Sequence, residues 1–142
     1  MNPLIKSFLE KERVSALSIM TGNKTCHSAA MHFSFKEDPF EIYFSIDKTS
    51  RKAQLINKEP TSASFVIGFS EEEWKTFQVD GIVKIVTDAE ELSKIKEGHY
   101  KRNPSSQQFE SDPNTVFLVF SPTWWRYTDF MEEPILIIEG KR

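Results

Sequence analysis

The chain has 142 residues, which is the usual size of one domain, and this length predicts a single domain over residues 1–142. With 39% hydrophobic and 27% charged residues, its composition is that of an ordinary globular protein and not of a disordered or membrane-embedded one. The net charge of −3 argues against nucleic acid as the main partner, because phosphate contacts require a basic face.

Compartment and membrane association are predicted from features that the sequence lacks. The first residues do not show the basic and then apolar layout of a signal peptide. No apolar run approaches the ~20 residues that a membrane-spanning helix needs. A single cysteine, Cys26, excludes an intrachain disulfide and fits a reducing compartment. We therefore expect a cytoplasmic protein with no membrane partner.

The first third of the chain is predicted to contain one helix and three strands. Asn2 can cap a helix over residues 3–13, where apolar residues recur at helical spacing. Strict alternation of side chains predicts a strand over 25–35, in which Cys26 is expected to be a small core residue. Two further strands, bounded by turn residues, are expected over 14–20 and 40–45.

The middle of the chain changes from helical to extended patterning. Residues 51–57 have helical spacing, and Pro60 follows where the helix must end. Strands are expected over 61–69 and over 74–86. Gly81 predicts a bend in the second of these strands, because glycine weakens a strand interior.

The last third begins with a helix and ends with strands. Thr87 and Glu90 are spaced as a capping box, which predicts a helix that carries Leu92, Ile95 and His99 on one side. A loop is expected over 103–114. The remaining strands are predicted over 115–121, 124–130 and 135–138.

The number and spacing of these strands predict the architecture. Six or seven strands, mostly joined by short turns, favour an antiparallel barrel with small peripheral helices, because closing a sheet removes its exposed edges. An open sheet with one covered face is the alternative.

A polar segment over residues 45–52 carries the most informative chemistry. Ser50, Arg51 and Lys52 stand where a strand gives way to a helix. The free N–H groups of a helix start attract anions, arginine adds bidentate hydrogen bonds to phosphate, and lysine adds a point charge. The segment therefore predicts a phosphate site. The alternative is a solvated turn followed by a capped helix.

Three motifs in this order carry a resemblance to a known family. The segment IYFSI, a polar turn and SRKAQLINKEPTSASFVI are similar to the FMN phosphate segment of the pyridoxamine 5'-phosphate oxidase-like FMN-binding split-barrel family. Upstream, CHSAAMHFSF resembles the strand that lines the flavin ring. Downstream, WKTFQVDGIVKIV resembles the strand with a glutamine before a Val-x-Gly turn. The resemblance covers roughly residues 8–127.

The resemblance implies a fold, a cofactor and an assembly. The fold would be mainly β, a six-stranded antiparallel split β-barrel (Greek key) with small peripheral α-helices. The cofactor would be FMN, held at the interface of a homodimer that contains two flavin sites.

The resemblance also implies a role for individual residues. Arg51 and Lys52 would bind the FMN phosphate with help from Ser50, and Gln78 would hydrogen-bond the polar edge of the flavin. Residues facing the flavin ring or the ribityl chain would be Ala29, Ala30, Met31, His32 and Ser45. The candidates for closing the site from the partner subunit are Trp124, Trp125 and Arg126.

Two departures from the oxidase pattern limit the expected activity. His27 stands near the position where the oxidase begins its ring-binding strand with an arginine. The oxidase's C-terminal substrate pattern, Arg-x-His-x-Arg, is absent after Trp125. The resemblance therefore implies flavin binding, and oxidation of a vitamin B6 phosphate is not expected.

Other reactive side chains do not form a second constellation in the sequence. Cys26 and His27 are neighbours on a predicted strand, so they point to opposite faces and cannot form a nucleophilic pair. The spacing of His27, His32 and His99 is not that of a zinc site, so no metal is expected.

Three functions remain open from the sequence. The first is an FMN-dependent oxidoreductase or flavin reductase of unknown substrate, in which the flavin carries the redox chemistry and the catalytic residues are unknown. The second is a non-catalytic flavin-binding carrier or sensor. The third is a split barrel that binds another cofactor, heme or deazaflavin F420.

Overall fold

The computed structural model describes residues 1–56 and 59–142. Within these residues, eight strands, three α-helices and one 3-10 helix follow each other. The helices are α1 (Pro3–Lys11), α2 (Arg51–Ile56), α3 (Ala89–Arg102) and the 3-10 helix Pro104–Phe109. The strands are β1 (Val14–Met20), β2 (Cys26–His32), β3 (Ser34–Glu37), β4 (Phe40–Asp47), β5 (Thr61–Ile67), β6 (Lys75–Ile85), β7 (Thr115–Asp129) and β8 (Leu136–Lys141).

One antiparallel sheet holds all of the strands. Its order is β2-β1-β5-β6-β7-β4-β3, and β8 pairs with the second half of β7. The two end strands of this path, β2 and β3, are separated only by Phe33, so the sheet curls round until its ends meet. The predicted mainly β, antiparallel split barrel is confirmed, with eight strands where six were expected.

Large apolar side chains fill the inside of the barrel. Phe77, Val79 and Val83 alternate along β6 with exposed residues, as expected for a strand with one buried face. Gly81 stands between them because a Cβ there would collide with the carbonyl of Ser121. The strand register shifts at this point, where the sequence predicts a bend.

The helices pack against the sheet through their buried residues. In α1, the buried residues Ile5, Phe8 and Leu9 lie on one stripe, and the Asn2 side chain accepts a hydrogen bond from the backbone of Leu4 at 2.9 Å. In α2, Ala53 and Ile56 are buried among the core residues. In α3, the buried face packs against side chains of β4 and β7.

Several predicted boundaries differ from the observed ones. The first helix ends at Lys11, and α2 is described as far as Ile56, so Asn57 of the predicted helix lies outside the described residues. The predicted strand over 25–35 is divided at Phe33. Phe33 and Ser34 are both buried, which breaks the alternation that one continuous strand would require.

Two further corrections concern the last third of the chain. The N-cap of α3 is Asp88, whose side chain accepts from the backbone N–H of Glu91, and the predicted capping box at Thr87 does not form. The strands predicted over 115–121 and 124–130 form one strand, β7. Pro122 is tolerated within it because it pairs with Gly81, where the ladder is already irregular.

Cys26 is exposed, so its prediction as a core residue was wrong. It stands opposite Met20 on the outside of the β1–β2 pair. Among residues 1–56 and 59–142, no helix has the length and apolar character needed to cross a membrane.

Candidate functional site

The predicted phosphate segment is a tightly bonded turn between β4 and α2. The Asp47 carboxylate accepts two hydrogen bonds from Thr49, from its backbone N–H and its hydroxyl, each at 2.6 Å. These bonds hold the pKa of Asp47 below its usual range. Ser50 Oγ accepts from the backbone N–H of Ala53 at 3.3 Å and so caps α2. The capped helix that was predicted as the alternative is therefore present. The cap uses the Ser50 hydroxyl, so the side chains of Arg51 and Lys52 remain available to bind an anion.

Arg51 and Lys52 begin α2, which is held in place by its buried residues Ala53 and Ile56. Arg51 is exposed and Lys52 is half-buried. Within the described part of the chain, neither has a carboxylate within 4.0 Å. Two adjacent cations without an acidic partner favour binding of an anion.

The predicted ring-binding residues of β2 divide between two faces. Met31 lies against the barrel core, and Ala29 is on the same, inner side of the strand. Ala30 and His32 are exposed on the outer side. Alternation along a strand dictates this division, so one β2 face cannot present all four side chains to a ligand.

The structure brings three separately predicted residues into one row on the outside of the sheet. Ala30 of β2 pairs with Ala16 of β1, Ala16 pairs with Val66 of β5, and Val66 pairs with Gln78 of β6. Gln78 in turn pairs with Arg126 of β7. Ala30, Gln78 and Arg126 therefore stand on one outer surface, with neighbouring strands about 4.8 Å apart.

A second row runs beside the first and consists mainly of small hydroxyl side chains. Its members, from β2 to β7, are Ser28, Ser18, Ser64, Asp80 and Trp124. Ser18 and Ser28 are hydrogen-bonded through their hydroxyls at 2.7 Å. A depression of about 360 Å³ lies over this part of the sheet. We call the two rows together the outer sheet face.

The three residues predicted to close the site do not point the same way. Trp125 pairs with Val79 on the inner side, where its ring meets Phe40 edge-on at 5.7 Å between centroids. A Cβ on Gly140 would collide with the Trp125 ring, so the glycine allows this close approach. Trp124 and Arg126 lie on the outer sheet face.

The side chains of Trp124 and Arg126 support each other. The Arg126 guanidinium carbon lies 5.7 Å from the centroid of a Trp124 ring, a distance typical of a cation–π contact. Arg126 Nε also donates to Glu139 Oε1 at 2.7 Å. These contacts hold the guanidinium beside Gln78 in the same row.

Ser45 is not part of the outer sheet face. It pairs with Phe117 on the side of β4 that carries Tyr43, where α3 packs. It therefore lies near the start of α2 in sequence but five strands away from β2 along the sheet path.

Sequence reasoning did not single out the small residues of the outer sheet face. Ala16, Ser18 and Ser64 alternate with buried apolar residues in β1 and β5. That alternation is visible in the sequence, but pairing across four strands was needed to show that these residues meet.

A second, larger cleft of about 830 Å³ lies between α3 and strands β3 and β4. His99 on its wall is 1% exposed, and its Nδ1 lies 2.9 Å from the Ser34 hydroxyl. Burial, and then the nearby charges of His32, Arg102 and Arg13, lower the pKa of His99 to about 4. The imidazole is therefore neutral near pH 7. We treat it as a structural group, because its hydrogen bond and its ring contacts with Tyr100 and Phe117 hold it within the fold.

The fold defines the class of the protein as a split-barrel protein, and two adjacent cations stand at the start of its helix α2. The sequence model of the pyridoxamine 5'-phosphate oxidase family matches residues 1–129. The chain therefore belongs to the pyridoxamine 5'-phosphate oxidase family, which confirms the resemblance drawn from the sequence. Comparison with curated protein sequences gives no match.

Solved structures with this fold include proteins named for different ligands. A pyridoxamine 5'-phosphate oxidase-related, FMN-binding protein from Nostoc punctiforme is 19% identical, with a TM-score of 0.71 over 92% of this chain and 81% of that chain. General stress protein 26 from Bacillus anthracis is 24% identical, with a TM-score of 0.68 over 94% of this chain and 95% of that one.

A heme-binding protein from Mycobacterium smegmatis is also similar in structure. It is 9% identical, with a TM-score of 0.78 over 96% of this chain, which spans only 55% of that protein. At these identities the likeness shows the shared fold. The family thus has FMN-binding and heme-binding neighbours, and the residue roles predicted for this chain stay predictions.

Proposed function

We propose that this protein binds FMN, with the phosphate held by Arg51 and Lys52. The observation that carries the proposal is the adjacent pair of cations at the start of α2, which has no carboxylate within 4.0 Å in the described residues. A doubly charged phosphate would supply the missing counter-charge. Family membership supports the same assignment.

The outer sheet face fits the remainder of the cofactor. Small side chains such as Ala16, Ala30 and Ser28 leave room for a flat ring to lie against the strands. Gln78 is exposed in the same row and has an amide that can both donate to and accept from the polar edge of a flavin. We therefore propose that the flavin ring lies over this face.

Trp124 and Arg126 are the proposed closing residues, and Trp125 is not. Only the first two share the outer sheet face with Gln78. In the proposed homodimer, these side chains of one subunit would cover the flavin of its partner. Trp125 would act indirectly by packing against Phe40 inside the barrel.

The proposed activity is that of an FMN-dependent oxidoreductase or flavin reductase. Bound FMN would supply the hydride or electron transfer, and the protein would bind, orient and shield it. Turnover of NADH or NADPH with an electron acceptor would support this activity. Stoichiometric flavin binding without turnover would instead support a carrier or sensor.

Heme is the second candidate cofactor, because a solved neighbour is a heme-binding protein. Among the described histidines, His32 is exposed on β2 and is the one that could reach an iron from outside the barrel. The absorbance spectrum of the purified protein, with the released cofactor identified by mass, separates flavin from heme and from deazaflavin F420.

The decisive test compares FMN with riboflavin. A charge-assisted hydrogen bond contributes about 1.5–3 kcal/mol, so loss of the phosphate should weaken binding roughly tenfold or more. Fluorescence titration measures both affinities. Equal affinities would contradict the phosphate site.

The same titration tests the two cations individually. Arg51→Ala should weaken FMN binding roughly tenfold and leave riboflavin binding unchanged, because the lost contact is to the phosphate. Circular dichroism should be unaltered, since the Arg51 side chain is exposed. Lys48→Ala, which removes an exposed cation from the same turn, is the matched control and should bind FMN like the unmodified protein.

A further inference from the structure

Three large aromatic side chains are exposed together at one end of the barrel. Phe69, Trp74 and Phe130 are 58%, 57% and 45% exposed, and they line a groove of about 680 Å³. Phe69 and Trp74 belong to the β5–β6 turn, and Phe130 follows β7. We call this surface the aromatic groove. None of the residues predicted to bind flavin lines it, although Thr76 in its wall stands two positions before Gln78 on β6.

The backbone of Trp74 holds its indole in this position at a cost. Its φ of 48° lies in the left-handed region, which a bulky side chain rarely adopts. Two hydrogen bonds fix it there: its N–H donates to the Ser70 carbonyl at 3.1 Å, and its carbonyl accepts from the Phe130 N–H at 3.0 Å. The unfavourable backbone conformation lowers the stability of the fold, yet it keeps an apolar side chain exposed to solvent. This combination points to a binding role.

Acidic residues lie in and next to the segments that form the aromatic groove. Glu71 lines it, Glu72 follows in the same turn, and Glu132 and Glu133 come directly after the Phe130 side of the groove. All four are exposed, and in the described residues none has a cationic group within 4.0 Å. We call these four residues the acidic rim.

The cations nearest to the groove are already paired. Lys75 lies 3.2 Å from the Asp129 carboxylate, and Lys11 is bonded to Glu73. The acidic rim is therefore left without counter-charge. Its complement is a partner that brings positive charge and apolar surface together, because aromatic faces attract cations and Trp does so most strongly.

The charge of the rim excludes the other common occupants. Nucleic acid and anionic membranes are repelled by four carboxylates. A second copy of this chain would pair the surface with itself across a two-fold axis and so place the two acidic rims against each other. A small ligand would remain largely exposed in so open a groove, whereas binding sites bury most of a ligand's surface.

We propose that the aromatic groove is a docking site for a polypeptide segment that carries arginine or lysine side chains between apolar residues. The cations would stack on Trp74 and pair with the acidic rim, and the apolar residues would cover Phe69 and Phe130. This interaction is independent of the flavin site.

The test uses a labelled peptide of alternating arginine and leucine residues, with fluorescence anisotropy as the measurement. The control peptide has citrulline in place of every arginine, which keeps the shape and removes the charge. The arginine peptide should bind at least about tenfold more tightly at physiological salt. Equal binding of the two peptides would overturn the proposal.

Trp74→Asn separates recognition from folding. Asparagine tolerates the left-handed region better than tryptophan, so thermal stability should be kept or raised while peptide affinity falls at least about tenfold. Trp74→Gly serves as a second variant if Trp74→Asn does not fold. Undiminished peptide binding by the folded variant would overturn the proposal. Conversion of a dimer to a monomer, measured by light scattering, would also overturn it, since the groove would then be a subunit contact.

The acidic rim is tested with Glu72→Gln combined with Glu132→Gln. Affinity for the arginine peptide should fall about three- to tenfold, with a weaker dependence on salt. The matched control, Glu90→Gln combined with Glu97→Gln, removes the same charge from α3 and should bind like the unmodified protein. If both double variants lost peptide affinity equally, the effect would be due to net charge alone. That result would overturn the assignment of peptide binding to the acidic rim. FMN affinity, measured on the same variants, should not change.

Discussion

At the scale of single residues, His99 couples the stability of the fold to pH. Its ring is buried on the inner face of α3, with the Ser34 hydroxyl at 2.9 Å and the rings of Tyr100 and Phe117 beside it. Burial first, and then the coulombic effects of His32, Arg102 and Arg13, disfavour the charged form, so the pKa falls from 6.5 to about 4.

Stability should therefore decrease on mild acidification. Above pH ~6.5, His99 is neutral in both the folded and the unfolded chain, so its titration does not change the free energy of unfolding. Between pH ~6.5 and ~4, only the unfolded chain takes up the proton, so the free energy of unfolding falls by up to about 3 kcal/mol and then levels off. Urea denaturation at a series of pH values measures this change.

His99→Gln removes the titrating group and should flatten the curve in that window, although its stability at pH 7 will be lower. His27→Gln alters a histidine that does not contribute to the pKa shift of His99 and should retain the slope. A flat curve for the unmodified protein would contradict the buried, neutral assignment of His99.

The direction of individual side chains was only partly predictable. Alternation alone shows that Trp125 points away from Trp124 and Arg126, but it does not say which side faces the core. That choice depends on the irregular pairing at Gly81, where Thr123 is left over between Pro122 and Trp124. Cys26 was misplaced because alternation does not say which side of β2 faces the core, and Met31 is the one β2 residue that packs against it.

At the scale of elements, the start of α3 depends on one capping side chain. Asp88 Oδ1 accepts from the backbone N–H of Glu91 at 2.8 Å, and Asp88 is the residue with extended backbone angles. Thr87, which also fits an N-cap in the sequence, lies one position too early to bond the first turn.

Asp88→Ala should lower the free energy of unfolding by about 1 kcal/mol, because an unmet N–H group is left at the helix start. Thr87→Ala should change it by less than about 0.5 kcal/mol, as is usual for exposed surface positions. Chemical denaturation of both variants provides the comparison. If Thr87→Ala had the larger effect, the cap would be misassigned.

The positions and types of elements with strong periodicity were predicted correctly from the sequence. The residues at which several of them end were not. Strand β1 has the predicted bounds, because burial alternates from Val14 to Met20 and turn-forming residues follow directly. The strand predicted over 25–35 is divided at Phe33, and no sequence pattern indicates this division. It arises because the chain changes direction there, between β2 and β3. Only the assembled sheet requires that corner.

At the scale of the whole molecule, the proposed homodimer depends on the outer sheet face. This face combines small side chains with Trp124, which would be left half-exposed in a single chain. Apolar surface of this kind usually marks an interface, and most homo-oligomers close with two-fold symmetry. The flavin ring proposed for this face would then lie between the subunits.

Light scattering should give about twice the chain mass of 16.5 kDa. Trp124→Glu should shift the protein toward the monomer and weaken FMN binding, since charge would be buried at the interface. Phe109→Glu, at an exposed aromatic residue of the 3-10 helix, is the control and should remain dimeric. A monomer that holds FMN in full stoichiometry would contradict the shared site.

The fold class and the family were readable from the sequence because motifs from three separate segments agree in order. The site was readable only in part. Ala30, Gln78 and Arg126 were named individually, yet their common row follows from strand pairings between residues far apart in the chain. Ser45, predicted with them, proved to stand on the side that faces α3.

The corner at Phe33 has a consequence for how the backbone exchanges hydrogen with solvent. Strand β2 pairs with β1 alone and β3 with β4 alone, so the two strands meet through the covalent chain and not through a ladder of hydrogen bonds. Along β2, every second N–H points away from β1 toward this seam. In heavy water, protection should therefore alternate along β2, whereas β6, paired on both sides, should be protected throughout. Uniform protection of β2 in residue-resolved exchange would show that the seam is covered.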